Sequence, residues 1–183
     1  ENNSIEVTDP PVVRDYYEAV EAAFTKKLKD AGEIAGRVVF ADPPRACEDL
    51  KNAGALEGNI AMINRGVCFF LDKIQRAKEA GAVAVLVVNN EGGPPIAMGT
   101  PGGTVDIPAM MISLRDGKKL KEHLAAGLFV KLGGDVMIGG NWPINWHPAV
   151  HAGRFTRRIC SSRIWPRPVS TFIQHGLGRV LSR

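Results

Sequence analysis

Residues able to do chemistry are few in this 183-residue chain, and they are badly spaced for catalysis. A serine or cysteine nucleophile needs a base within hydrogen-bond reach and a third group to orient that base. The first 135 residues offer one histidine, His123, beside Lys121 and Glu122 on a predicted helix, where a lone histidine reads as solvated. No Gly-x-Ser-x-Gly elbow, His-Glu-x-x-His helix or glycine-rich phosphate loop of either common spacing occurs. His147 and His151 are four apart, but Pro148 interrupts any helix that would align them and no third ligand lies near, so no metal is expected. Gly92-Gly93, Gly99 and Gly102-Gly103 read as a flexible surface loop, with a lid or recognition loop as the functional alternative. Cys47 and Cys68 each flank a turn beside an adjacent predicted strand. They are either two unrelated buried thiols or a bridge, which would close a loop of about 20 residues, contribute roughly 3 kcal/mol and imply an oxidising compartment. Cys160 is left over.

The elements around these residues follow from periodicity and punctuation. Ser4 to Val7 reads as a short strand ended by Asp9-Pro10-Pro11, and Tyr16, Val20, Phe24 and Leu28 have the spacing of a helix over 16–29. Arg37 to Ala41 is a strand stopped by Pro43-Pro44, 47–55 a short polar turn or one-turn helix, and Asn59 to Asn64 a strand that turns at Arg65-Gly66. Asp72 is placed to cap a helix running to about Ala80, with Ile74, Ala77 and Lys78 on one face and Gly81 at its C-terminal end. Val83 to Val88 is continuously apolar and should be a strand buried on both faces. A Gly/Pro-rich loop, a strand over Ile107–Ile112, a second helix over 115–125 with Leu120 and Leu124 inward, and a last strand over 128–132 complete the body. Two strand–helix–strand passages with more strands than helices indicate a β-rich α/β fold: a mixed, partly closed, barrel-like sheet with two flanking helices.

The net charge of +4 conceals an asymmetry. After Asp135 there is no acidic residue and no lysine, while seven arginines occur, from Arg154 to Arg183; the preceding body is slightly acidic. Two segments are therefore expected, a domain over 1–133 and a basic, poorly ordered extension over 134–183. The extension could grip phosphates, and nucleic-acid binding through it is one alternative. The absence of lysine and of any repeat favours a disordered extension or a segment not native to the domain, such as a misread or shifted reading frame. The apolar fraction of 45% suffices for a core, and no apolar run is long enough to span a membrane. The chain begins with Glu rather than Met, so its N-terminus is expected to be processed or a boundary.

Several blocks in order resemble the protease-associated (PA) domain. They are Ala46-Cys47-Glu48-Asp49-Leu50; Gly58 to Met62; Arg65-Gly66-Val67-Cys68-Phe69-Phe70 with Lys73; Ala77 to Ala82; Val83 to Val88 with Asn89-Asn90; and Ile107 to Ser113 followed by Asp116-Gly117 and Leu120. The resemblance covers about 34–132. It implies a β-rich α/β fold and a non-catalytic role, since PA domains accompany secreted and vacuolar peptidases, sorting receptors and membrane-bound ubiquitin ligases. It also implies that Cys47 and Cys68 bridge.

The expected function is thus a peptide- or protein-binding accessory domain, secreted or extracytoplasmic, with no enzymatic activity and no cofactor. Its expected partners are a peptide or protein ligand and a peptidase domain, rather than nucleic acid. The alternative is a fragment of a peptidase whose catalytic domain lies elsewhere. Candidate contacts are Asn64 and Arg65 on the turn, Asn89, Asn90 and Met98 on the following loop, and Asp106 near a strand edge, where an extended peptide could add by main-chain pairing. Arg65 has a second reading, as the partner of a carboxylate that holds the turn. Asn89 and Asn90 have one as capping residues.

Overall fold

A strand that is apolar at every position needs cover on both sides, and this requirement organises the domain. The structure, a computed structural model, describes residues 2–133. β5 (Ala84–Val88) is buried throughout. It lies between the parallel strands β4 (Ile60–Asn64) and β6 (Ala109–Ile112). Alternation divides the layer's side chains between two cores. Ile60, Met62, Ala84, Leu86, Val88, Met110 and Ile112 join one cluster, which includes Ile5, Val7, Val130 and Leu132 from the antiparallel strands. Ala61, Ile63, Val85, Val87, Ala109 and Met111 join the other, with Ile74 and Ala77 of helix α3 (Phe70–Glu79).

The remaining strands are β1 (Asn2–Asp9), β2 (Asp15–Glu21), β3 (Ile34–Phe40) and β7 (Phe129–Leu132). Together the seven form a closed barrel in the order β1-β2-β6-β5-β4-β3-β7. The contiguous set β3, β4, β5 and β6 is parallel, and all other pairings are antiparallel. One-turn helices α1 (Leu28–Ala31) and α2 (Ala53–Leu56), the longer helices α3 and α4 (Leu114–Lys121), and two short 3-10 turns fill the connections.

The β-rich α/β class, the two flanking helices and the doubly buried strand agree with the sequence reading. Closure is complete rather than partial. Each strand has a neighbour on both sides, but the ladders are staggered: β6 pairs with β2 only over Ala19–Glu21, and β4 with β3 only from Val38. The helix expected over 16–29 is instead β2 followed by a turn and α1. Spacing by four is also even, so Tyr16, Val20 and Phe24 suit a strand as well as a helix. The antiparallel register with β1, from Asn2↔Val20 to Val7↔Asp15, decides for the strand.

Two details of the helices also differ. Phe69 holds the N-cap position of α3, with Asp72 inside its first turn, where a carboxylate still favours the helix dipole. Its buried face carries Lys73, Ile74 and Ala77, while Lys78 reaches outward to Asp106. α4 stops at Lys121, and His123 sits at the junction with a 3-10 turn rather than on the helix. Ser113 caps α4, its Oγ accepting from the Asp116 amide at 3.0 Å and donating to the Asp116 carboxylate at 2.7 Å.

Glycine is required where α4 crosses β5. A Cβ on Gly117 would fall 2.2 Å from Val88 Cγ1 and 2.8 Å from its Cγ2. Gly117→Ala should therefore destabilise the domain by about 1–3 kcal/mol despite the better helix propensity of alanine. Urea denaturation checks this; a midpoint at or above the wild-type value would show that the helix does not pack this closely.

Candidate functional site

Parallel strands release all their C-terminal loops at one end of the sheet. Here β3 runs into Asp42 to Arg45, β4 into Asn64 to Phe69, β5 into Asn89 to Glu91, and β6 into the cap of α4. The Asn64 amide donates to Pro44 O at 2.7 Å and the Arg65 amide to Val88 O at 2.9 Å, tying the β4 turn to both neighbours. Arg65 Nη1 donates to Asn89 Oδ1 at 2.8 Å and lies 3.6 Å from the Glu91 carboxylate. Asn89 is buried, and its Oδ1 also accepts from the amides of Asn90 and Glu91, at 2.9 and 3.4 Å. The holding role for Arg65 and the capping role for Asn89 are therefore both present in the structure. Asn90 is exposed at the rim. From α4, Lys121 Nζ donates to Asn64 Oδ1 and lies 4.7 Å from the centroid of the Phe40 ring. Burial, and then Lys118 nearby, hold its pKa below that of a free lysine.

Asn64, Arg65, Asn89 and Asn90 thus come together. The other two sequence candidates do not join them. Met98 is fully buried in the core beneath α3, with its carbonyl accepting from Ala23. Asp106 precedes β6, at the opposite end of the parallel layer, and pairs with Lys78, whose hydrogen bond lowers its pKa.

The turn carries two exposed apolar residues that sequence reasoning passed over, Val67 (82% exposed) and Phe69 (64%). Beside them lies a groove of about 420 Å³ lined by Pro43, Pro44, Arg45, Cys47, Glu48, Asn64 and Val67. Val67 has φ +75°, a region that a β-branched residue enters only at a cost. Ala46 is the other non-glycine residue with positive φ, at +48°. Each immediately precedes a bridged cysteine, since Cys47 and Cys68 form a disulfide that joins the β3 and β4 loops. The alternation of apolar residues around Cys68 was the available signal. Nothing in the sequence links Lys121 to Asn64.

Lys73 holds the inner side of this clamp. It is fully buried, and its Nζ donates to Arg45 O and lies 3.3 Å from Cys47 Sγ. Burial, followed by the charges of Arg45 and Arg76, lowers its pKa to about 8. Among the described residues no group of three or more His, Cys, Asp or Glu is placed to hold a metal. His147, His151, Cys160 and the arginine-rich segment lie outside them.

Comparison with known proteins places this geometry. The family model described as PA domain matches residues 34–120, and this stretch of the chain is a PA domain. Vacuolar-sorting receptor 1 of Pisum sativum is 32% identical over 165 residues, covering 82% of this chain and 25% of the receptor. Minor extracellular protease Vpr of Bacillus subtilis is 42% identical over 72 residues, covering 39% of this chain and 9% of the protease. Among solved structures, a zinc aminopeptidase from Bacillus subtilis superposes with a TM-score of 0.54 at 20% identity, over 72% of this chain and 29% of the enzyme. That likeness concerns the fold alone. The chain thus spans about a quarter of the first curated relatives it matches. A PA domain is an accessory module, found here among relatives that include sorting receptors and peptidases.

The shifted Lys73 makes stability depend on pH in a defined direction. With a folded pKa of about 8 against an ordinary 10.5, the unfolded chain binds more protons than the folded one between those values. The contribution of Lys73 to stability should therefore rise with pH across that window, after its full penalty below pH 8. Unfolding free energies of wild type and Lys73→Met, measured from pH 7 to 10, should show their difference moving in favour of wild type as pH rises. A constant difference would contradict the shift.

Proposed function

We propose that this domain is a non-catalytic module that binds a segment of peptide or protein at the carboxyl end of its parallel strands, through Asn64, Arg65, Asn90 and the apolar residues Val67 and Phe69. The observation that carries the reading is Val67. A β-branched residue kept at positive φ with its side chain in solvent gains nothing for the fold, and such strain persists where a function uses it. Phe69 adds a second exposed apolar contact, of the kind that marks a recognition surface. Arg65 keeps part of its side chain accessible, 23%, above a carboxylate that a ligand's own acidic group could replace. Asn89 acts behind the surface by positioning Arg65.

At this end of the sheet a ligand would be held by loop groups and side chains. The names of the relatives, a vacuolar-sorting receptor and an extracellular protease, support a role in presenting or admitting a protein substrate, with a peptidase domain as one partner. The disulfide supports an extracytoplasmic or lumenal setting.

Selection from a random dodecapeptide phage library against the purified protein tests the reading. Enriched peptides should bind the wild type and lose at least tenfold in affinity with Val67→Asp or Phe69→Asp, two exposed substitutions that should not lower stability, since aspartate tolerates positive φ better than valine and is a favoured helix N-cap. Peptides whose binding is indifferent to both changes would place the site elsewhere. Peptide hydrolysis by the protein, removed by substitutions in the body, would contradict the non-catalytic assignment.

A further inference from the structure

The groove beside the β4 turn carries polar groups that the fold leaves unused. Pro43, Pro44 and Val67 supply its apolar walls, and Arg45, Glu48 and Asn64 its charged and polar side chains. Arg45 is exposed, and among the described residues no carboxylate lies within ion-pair distance of its guanidinium. Behind the wall, the buried Lys73 Nζ lies 3.3 Å from Cys47 Sγ and adds a second positive charge.

Asn64 supplies a further donor. Its Oδ1 accepts from Lys121 Nζ, and this fixes the carboxamide, because an ammonium can only donate. The Nδ2 end has no partner among the described residues. No buried side-chain nitrogen or oxygen among them lacks one, so Nδ2 is open to solvent. Lys121 is itself held 4.7 Å from the centroid of the Phe40 ring.

We propose, resting on the peptide-binding reading above, that this groove is a carboxylate subsite: one carboxylate of the bound segment is held by the Arg45 guanidinium and Asn64 Nδ2, with Lys121 as the positioning residue for the Asn64 carboxamide. A carboxylate only accepts, and its two oxygens suit two donors. A carboxamide in the same place would set its own NH2 against one of them. Without Lys121 the Asn64 carboxamide is free to turn and present Oδ1, which repels the ligand's oxygens. Glu48 disfavours a second acidic group, so the groove suits a single acidic residue or a chain terminus rather than an acidic run. Pro43, Pro44 and Val67 pack the carbons that carry the carboxylate.

The test uses three probes: N-acetyl-aspartyl amide, with a side-chain carboxylate; N-acetyl-alanine, with a terminal one; and N-acetyl-asparaginyl amide, with none. Each is titrated at pH 7 and constant ionic strength into the isotope-labelled full chain. NMR follows the side-chain amide pair of Asn64, identified by its loss in Asn64→Asp. At least one carboxylate probe should shift that pair saturably, the tighter one naming the source of the carboxylate. The asparaginyl probe should bind at least tenfold more weakly. Arg45→Gln should weaken carboxylate binding at least tenfold, and Lys121→Met at least threefold, with Lys121→Arg restoring it. No shift with either carboxylate probe, equal binding of the asparaginyl probe, or indifference to Arg45→Gln or Lys121→Met would overturn the proposal. Should Lys121→Met not fold, the exposed Arg45→Gln decides. Library peptides that depend on Val67 and Phe69, while neither carboxylate probe moves the Asn64 pair, would leave the binding face standing and remove the subsite. Carboxylate binding at Asn64 with no such peptides would do the reverse.

Discussion

The two-sided burial of β5 is the constraint on which the rest depends. Five consecutive apolar side chains, Ala84 to Val88, cannot lie on a half-exposed sheet. They need a barrel interior on one side and a helix on the other, and α3 supplies that second cover through Ile74 and Ala77. Helical crossovers make neighbouring strands parallel, α2 between β3 and β4 and α3 between β4 and β5, while the irregular loop 89–108 carries the chain from β5 to β6 in the same direction. Gly117 lets α4 approach the end of β5 closely enough to close the corner. The position of the functional face follows, because parallel strands must deliver their C-terminal loops to one end.

At that end the chain is held more tightly than a loop requires. Arg65, buried Asn89 and the backbone ties to Pro44 and Val88 fix the turn from three directions. The disulfide and Lys73 fix its far side. The two strained non-glycine residues, Ala46 and Val67, sit within this bracing. A rigid turn with apolar side chains facing solvent is suited to recognition, since a partner need not order it on binding. The buried Lys73 serves the same bracing by satisfying a backbone carbonyl in the interior, at the cost of a depressed pKa.

Much of the fold was legible because its signals are local. The unbroken apolar run of β5, Gly81 after α3 and the Pro43-Pro44 stop after β3 each act within a few residues. β2 was not legible, because even spacing of Tyr16, Val20 and Phe24 suits two periods and only pairing with β1 decides between them. Barrel closure depends on β1 meeting both β2 and β7, a long-range fact with no local mark. At the site, four candidates converge because each directly follows or ends a parallel strand. Met98 and Asp106 were drawn in by their place on or after a Gly/Pro-rich loop, which carries one into the core and the other to the far end of the sheet. Val67 and Phe69 were overlooked because exposure at a turn cannot be read from apolar character alone.

The central claim is that the turn after β4 and the loop after β5 together form the binding face. Hydrogen exchange followed by mass spectrometry, with and without a library-selected peptide, tests it most directly. The account predicts slowed exchange confined to 64–70 and 89–91. Slowed exchange at β2 and the start of α4 instead, with the β4 turn unchanged, would contradict it.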